Sequence, residues 1–258
     1  MVRVFPTGAW AVAASLLLAC SGAPKPDRLE AGKTGAPLPQ ARATAPAPVF
    51  NGKSLYSQGN EELVIRDFFK DRRGGVFLDV GCASPIANSN TYYLEKHLGW
   101  TGIGVDALPD YAEAWQKKRP GSKYFNYLIA DHADASVPFY RAQFRGISSS
   151  QKNIKGPGGE DVKTEEIHVP MTTLNKLLDT NGIAKIDFLS MDIEGAEPPA
   201  LAGFDIERFK PQLACIEAKP PNRDQILKYF ADHGYRRLER YFQYDKTNYY
   251  FAPKVEAR

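Results

Sequence analysis

Beyond about position 50 the chain alternates between two patterns of apolar and polar positions. Residues 61–72 (EELVIRDFFKDR) carry apolar side chains at 63, 64, 65, 68 and 69, which is one face of a helix. GVFLDVG (75–81) is a short continuous apolar run and predicts a strand. SNTYYLEKHLG (89–99) predicts a helix ended by Gly99, with Ser89 or Asn90 as its N-cap. WTGIGVDA (100–107) is the next strand and PDYAEAWQKKR (109–119) the next helix, with Pro109 in its first turn. KYFNYLIAD (123–131) follows as a strand, and residues from about 145 to 165 are polar and irregular. TTLNKLLDTNG (172–182) predicts a helix, KIDFLSMDIEG (185–195) a buried strand, and AEPPALAGF (196–204) a helix. QLACIEA (212–218) is a strand, NRDQILKYFADHG (222–234) a helix, and 235–245 with 247–253 a closing hairpin-like pair.

Such alternation predicts a three-layer, Rossmann-like α/β fold over 50–258: a mostly parallel sheet with an antiparallel pair at its C-terminal edge. In sheets of this kind ligands bind outside the carboxyl ends of the strands. Those ends read Asp79-Val80-Gly81-Cys82-Ala83, Asp106, Asp131-His132, Asp192-Ile193-Glu194-Gly195 and Glu217. Nearly every strand ends in an acid, which would repel a ligand with several phosphates. It suits a ligand that carries a cation and hydroxyl groups. Asp106 lies 27 residues past Asp79 (106 − 79), near the spacing at which an acid takes ribose hydroxyls. The plainer role for Asp106 is to cap the helix at Pro109, and for Asp79 to cap or to orient the glycine turn.

The first twenty residues break the pattern. MVRVFPTGAWAVAASLLLAC has an early cation, Arg3, then an apolar stretch too short to span a bilayer, the layout of a secretory signal. Leu17-Leu18-Ala19-Cys20 resembles the bacterial lipobox, which implies a lipid on Cys20 and anchorage at a membrane of the cell envelope; an ordinary signal peptide or an uncleaved anchor is the other reading. Residues 21–49 are dominated by proline and alanine, so they are expected to form a disordered tether. Composition changes little else. Of 258 residues, 43% are hydrophobic and 24% charged, and a net charge of +3 with no basic run gives no footprint for nucleic acid. Cys20, Cys82 and Cys215 have no metal-ligand spacing, and the last two read as core thiols on non-adjacent strands, with no disulfide expected.

Taken together, YSQGNEELVIRDFF, VFLDVGCASPIANSNTYYLEKHLGWTGIGVDALPDY, TTLNKLLDTNG and IDFLSMDIEGAEPPALAGFD resemble the FkbM family of S-adenosylmethionine-dependent methyltransferases, from about Tyr56 to Tyr250. The resemblance implies a class I methyltransferase sheet, S-adenosylmethionine as cofactor, and methylation of sugar or polyketide hydroxyls. It also places Ser57, Gln58 and Asn60 beside the cofactor; a plain helix cap is the other reading of that segment. Pro85 departs from class I turns, which often carry a third small residue there. The acid census agrees, because this cofactor is a cation with a ribose and no phosphate. Gly81 and Ala83 form the turn, Asp106 is the candidate for the ribose, Asp131 for the adenine amino group, and Asn90 with Thr91 for the carboxylate.

Asp192 and Glu194, at the tip of the central strand, are the candidates for the general base, with His132 as the alternative. Capping of the following helix by Asp192 and Glu197 is the other reading. Asp131, His132 and Asp134 make a thin case for a divalent ion, and no metal is expected. The partner is a small-molecule or glycan acceptor, covered by the polar 145–165 region. Two rival functions stand beside this one. A nicotinamide-dependent oxidoreductase would need G-x-G-x-x-G where the chain has GCASPIA. A surface-tethered domain that no longer methylates would fit the export signal, since the cofactor is cytosolic.

Overall fold

The computed structural model describes residues 54–143, 148–156 and 158–254. The signal, Cys20 and the 21–49 tether lie outside the described residues. Helix α1 (Glu61–Phe69) precedes strand β1 (Val76–Val80), helix α2 (Tyr92–Leu98), strand β2 (Thr101–Asp106), helix α3 (Ala112–Lys118) and strand β3 (Ser122–Asn126). Three further strands follow, β4 (Leu128–Ile129), β5 (Asp134–Ala142) and β6 (Thr164–Thr172), then helix α4 (Leu174–Thr180). The last part holds β7 (Phe188–Met191), α5 (Glu197–Ala202), α6 (Ile206–Phe209), β8 (Leu213–Glu217), α7 (Arg223–Asp232), β9 (Tyr235–Arg237) and β10 (Asn248–Pro253).

Seven strands form one sheet in the order β3-β2-β1-β7-β8-β10-β9. Pairing is parallel from β3 through β8, and β10 is antiparallel to both neighbours. The chain order reverses beside β1 and β7, so their carboxyl ends open the crevice where a ligand fits. Both faces are covered, which is why β7 and β8 read as continuous apolar runs, every residue buried. One face packs Leu174, Leu177, Leu201, Phe209, Ile226 and Phe230 on Leu78, Val80 and Leu189. The other packs Val64, Ile65, Phe69, Leu94 and Leu98 on Phe77 and Phe188. Trp115 lies so close over β2 that an added Cβ on Gly104 would stand 2.5 Å from its ring, so only glycine fits there.

Two expectations change. KYFNYLIAD is not one strand: the chain leaves the large sheet after Asn126, whose side-chain amide donates to the Asp106 and Ala107 carbonyls. Leu128–Ile129 then pairs with Met171–Thr172 in a second sheet of order β4-β6-β5. The second change lies on either side of the polar region, where the sequence pattern marked no strand. Flanking it, β5 and β6 form a long antiparallel pair whose Phe139 and Val169 are buried against Ala107 and Leu108. EIHVPMT alternates apolar and polar residues, a strand signal that the mixed composition around it hides. At α2 the helix begins after Thr91, while Ser89 Oγ accepts from the Thr91 and Tyr92 amides, so Ser89 does the capping and Asn90 does not. Among the described residues no helix is long and apolar enough to cross a membrane.

Candidate active site

The turn after β1 is held from several sides. Gly81 N donates to Val105 O at 2.9 Å, and Ala83 N to Asp106 Oδ2 at 3.0 Å. Gly81 has φ +78°, and a Cβ there would stand 1.9 Å from the Asp192 carbonyl oxygen, so no other residue fits between the tips of β1 and β7. Ala83 (φ 42°) and Glu194 (φ 51°) also hold left-handed backbone, strain that concentrates where the two tips meet. Cys82 and Cys215 are buried free thiols, separated by β7, and burial raises both.

Asp106 Oδ1 accepts from Leu108 N at 2.8 Å, a local turn contact and not a cap of the helix at Pro109, and each carboxylate oxygen keeps a lone pair for a ligand. Burial, opposed by those two amide bonds, raises its pKa to about 6. Asp79 lies beneath the turn, buried, and accepts a 2.6 Å hydrogen bond from the Thr91 hydroxyl. Its pKa is raised by desolvation despite that bond and the nearby Arg119.

A cleft of about 610 Å³ opens over these tips. Gly81, Ala83 and Asp106 line its floor, and Leu108, Tyr111, Leu128 and Phe139 form an apolar wall on the β2 side. Asp192, Ile193 and Glu194 close the other end, and Ser148 and Ser150 of the polar region also line it.

At the acidic end, carboxylate oxygens of Asp192, Glu194 and Glu217 lie within 4.8 Å of one another. Lys219 supplies the cation there, 2.5 Å from Glu217 and 3.6 Å from Glu194. Three acids so spaced have the geometry to hold a metal ion, but Lys219 already answers two of them. Asp192 is open to solvent at the cleft mouth, and among the described residues no group hydrogen-bonds its carboxylate. Partial desolvation in the cleft, then the charges of Glu217 and Glu194, push its pKa well above that of an ordinary aspartate although its edge meets solvent. Burial and Glu217 raise Glu194 in the same way, and Lys219 opposes the rise. Asp192 therefore does not cap α5. Glu197 does not either: it reaches back to the loop before the helix, accepting from the amides of Ile193 (3.0 Å) and Gly195 (3.3 Å).

Gly81, Ala83, Asp106, Asp192 and Glu194 are thus brought together, and several candidates are not. Asp131 and His132 pair with each other at 2.6 Å, 55% and 68% exposed, away from the cleft lining. The physical reason is the switch of sheets at Tyr127: Asp131 follows a strand of the small sheet. Asn90 donates to Ser190 Oγ at 3.1 Å and Thr91 is fully buried on Asp79, so neither presents its side chain to the cleft. Ser57 Oγ accepts from Glu62 N, a helix-start contact, Asn60 donates to Tyr244 O, and Gln58 is exposed. Glu217 and Lys219 enter the site instead. The strand-end acid at 217 was visible, but its closeness to Asp192 comes from the β7–β8 pairing.

The group that fits this cleft follows from the donor set. Amides that could cradle a phosphate are spent on Val105 and Asp106, and the opposite end is acidic. A cationic nucleoside with a ribose fits, and a pyrophosphate does not. Sheet order and cleft together define the class: a class I, S-adenosylmethionine-dependent methyltransferase.

Similar solved structures include a TehB-like SAM-dependent methyltransferase from Corynebacterium glutamicum (15% identity, TM-score 0.42, covering 79% of this chain and 90% of that one). Precorrin-6y C5,15-methyltransferase from Geobacter metallireducens is another (11%, 0.39, 68% and 70%). A third is 1,6-didemethyltoxoflavin-N1-methyltransferase from Burkholderia thailandensis, solved with S-adenosylhomocysteine (11%, 0.34, 75% and 75%). No curated protein matches the chain. The model of the methyltransferase FkbM domain matches residues 79–237, more than half of the chain, and the protein belongs to that family.

Proposed function

We propose that the protein methylates a hydroxyl oxygen of a sugar, glycolipid or related metabolite, with Asp192 as general base. The observation that carries this reading is the Asp192 carboxylate, without a hydrogen-bond donor among the described residues, raised in pKa, and facing the cleft. S-adenosylmethionine supplies an electrophilic methyl group. Asp106 holds the ribose, the wall of Leu108, Leu128 and Phe139 takes the adenine, and the turn at Gly81 and Ala83 meets the amino-acid half. Asp192 accepts the hydroxyl proton as the oxygen becomes nucleophilic, and its raised pKa narrows the gap to a hydroxyl. Lys219 lies against Glu217 and Glu194, which leaves Asp192 as the one of the three acids without an ion pair among the described residues. The expected lipid on Cys20 would put this chemistry at a membrane surface, and palmitate labelling of wild type and Cys20→Ala checks it.

Transfer of labelled methyl groups to a panel of sugars, glycolipid headgroups and amines tests the acceptor class, with the product linkage read by NMR. The expected product is a methyl ether, lost in Asp192→Asn while S-adenosylhomocysteine still binds. An N-methyl product, or full turnover by Asp192→Asn, would overturn the reading.

A further inference from the structure

Arg119 follows directly after α3 and is completely buried, yet nothing in the proposed chemistry uses it. Its Nε donates to Glu95 Oε2 at 2.6 Å, and its Nη1 to the Pro85 carbonyl at 3.1 Å and Ser89 Oγ at 3.4 Å. Nη2 donates to Thr91 Oγ1 at 3.1 Å, and that hydroxyl in turn donates to Asp79 Oδ2 at 2.6 Å. The guanidinium carbon lies 4.3 Å from the ring centre of Trp115, which is one helical turn earlier and donates to the Ala83 carbonyl at 2.8 Å. A buried ion pair adds little stability over an apolar residue of the same size, so packing of α3 alone does not call for this arginine. Apart from Nε on Glu95, its donors fall on the segment from Pro85 to Thr91, directly after the turn that lines the cleft.

We propose that Arg119 is a positioning residue for the cofactor turn: with Trp115 it clamps the Ala83 and Pro85 carbonyls and so shapes the loop that meets the amino-acid half of S-adenosylmethionine. Glycine-rich turns reach their ligand through backbone freedom. This turn has lost that freedom at Pro85, and the planar fork of one arginine holds it in place. The clamp rests on the cofactor assignment and not on the identity of the acceptor.

The test is calorimetric titration of wild type and Arg119→Lys with S-adenosylhomocysteine and with methylthioadenosine, which lacks the amino-acid half. Lysine keeps the charge on Glu95 but cannot reach Pro85 and Thr91 together. The expected result is about tenfold weaker S-adenosylhomocysteine binding with less than about a threefold change for methylthioadenosine. Hydrogen exchange at the amides of 82–91 should quicken in parallel. Trp115→Phe, which keeps the packing and removes the bond to Ala83, should shift the same ratio and serves if Arg119→Lys does not fold. Equal weakening of both ligands, or a lower melting temperature with both affinities intact, would make Arg119 merely structural and overturn the proposal. A wild type that binds neither ligand would refute the cofactor assignment, and the clamp with it.

Discussion

Asp106 supports a prediction that needs no knowledge of the acceptor. If its carboxylate takes the ribose hydroxyls, S-adenosylhomocysteine affinity should fall as that carboxylate protonates. Burial raises its pKa to about 6, and the amide bonds from Leu108 and Ala83 offset only part of the rise. At about pH 7.5 such a group is roughly 97% ionised and at about pH 5 roughly 9%, so affinity should drop about tenfold between them. Asp106 is half-buried, and water at its open edge makes tenfold an upper figure. The sign is fixed by the direction of the shift. A raised carboxyl stabilises the ligand-free fold below the pH at which the unfolded chain titrates, and that contribution is lost as pH rises through about 6. Ligand binding works the other way, favouring the charged form. Calorimetric titrations across this range on wild type and Asp106→Asn isolate the effect, because Asp192 and Glu194 titrate in both. The variant should bind more weakly at about pH 7.5 and lose the Asp106 part of the slope. Parallel curves for the two proteins would refute the ribose role.

Three other substitutions probe the remaining contacts. Gly81→Ala puts a methyl into the Asp192 carbonyl at positive φ, and should cost about 2–5 kcal/mol in chemical denaturation and abolish S-adenosylhomocysteine binding; unchanged stability would contradict the close approach. In Glu217→Gln, the loss of one charge within 4.8 Å should lower the Asp192 pKa, read by carbon NMR of labelled carboxyls; an unmoved titration would show that Glu217 does not raise it. His132→Ala, at an exposed position outside the cleft, should leave S-adenosylhomocysteine affinity and methyl transfer unchanged; a loss of transfer would restore His132 as the base.

Much of the fold was legible because the large sheet is built from local signals. Apolar runs at 76–80, 101–106, 188–191 and 213–217 stand as strands, and periodic stretches between them stand as helices. Each strand-end acid was visible in the same reading, since a strand's end is a local property. Gly81, Ala83, Asp106, Asp192 and Glu194 follow from it directly.

What failed did so where position depends on a partner strand. From sequence, Asp131 and His132 follow a third strand as plainly as Asp106 follows the second. Pairing of Leu128–Ile129 with Met171–Thr172, more than forty residues on, carries them out of the large sheet and into solvent. Glu217 and Lys219 join Asp192 because β7 and β8 lie side by side in register. Pro85 looked like a defect in a nucleotide turn until α3 brought Arg119 against its carbonyl. The sequence by itself therefore determined which residue types stand at the strand tips and what charge a ligand there must carry. Only the tertiary structure decided which tips share a cleft, because strand order and long-range hydrogen bonds, not local propensity, set those distances.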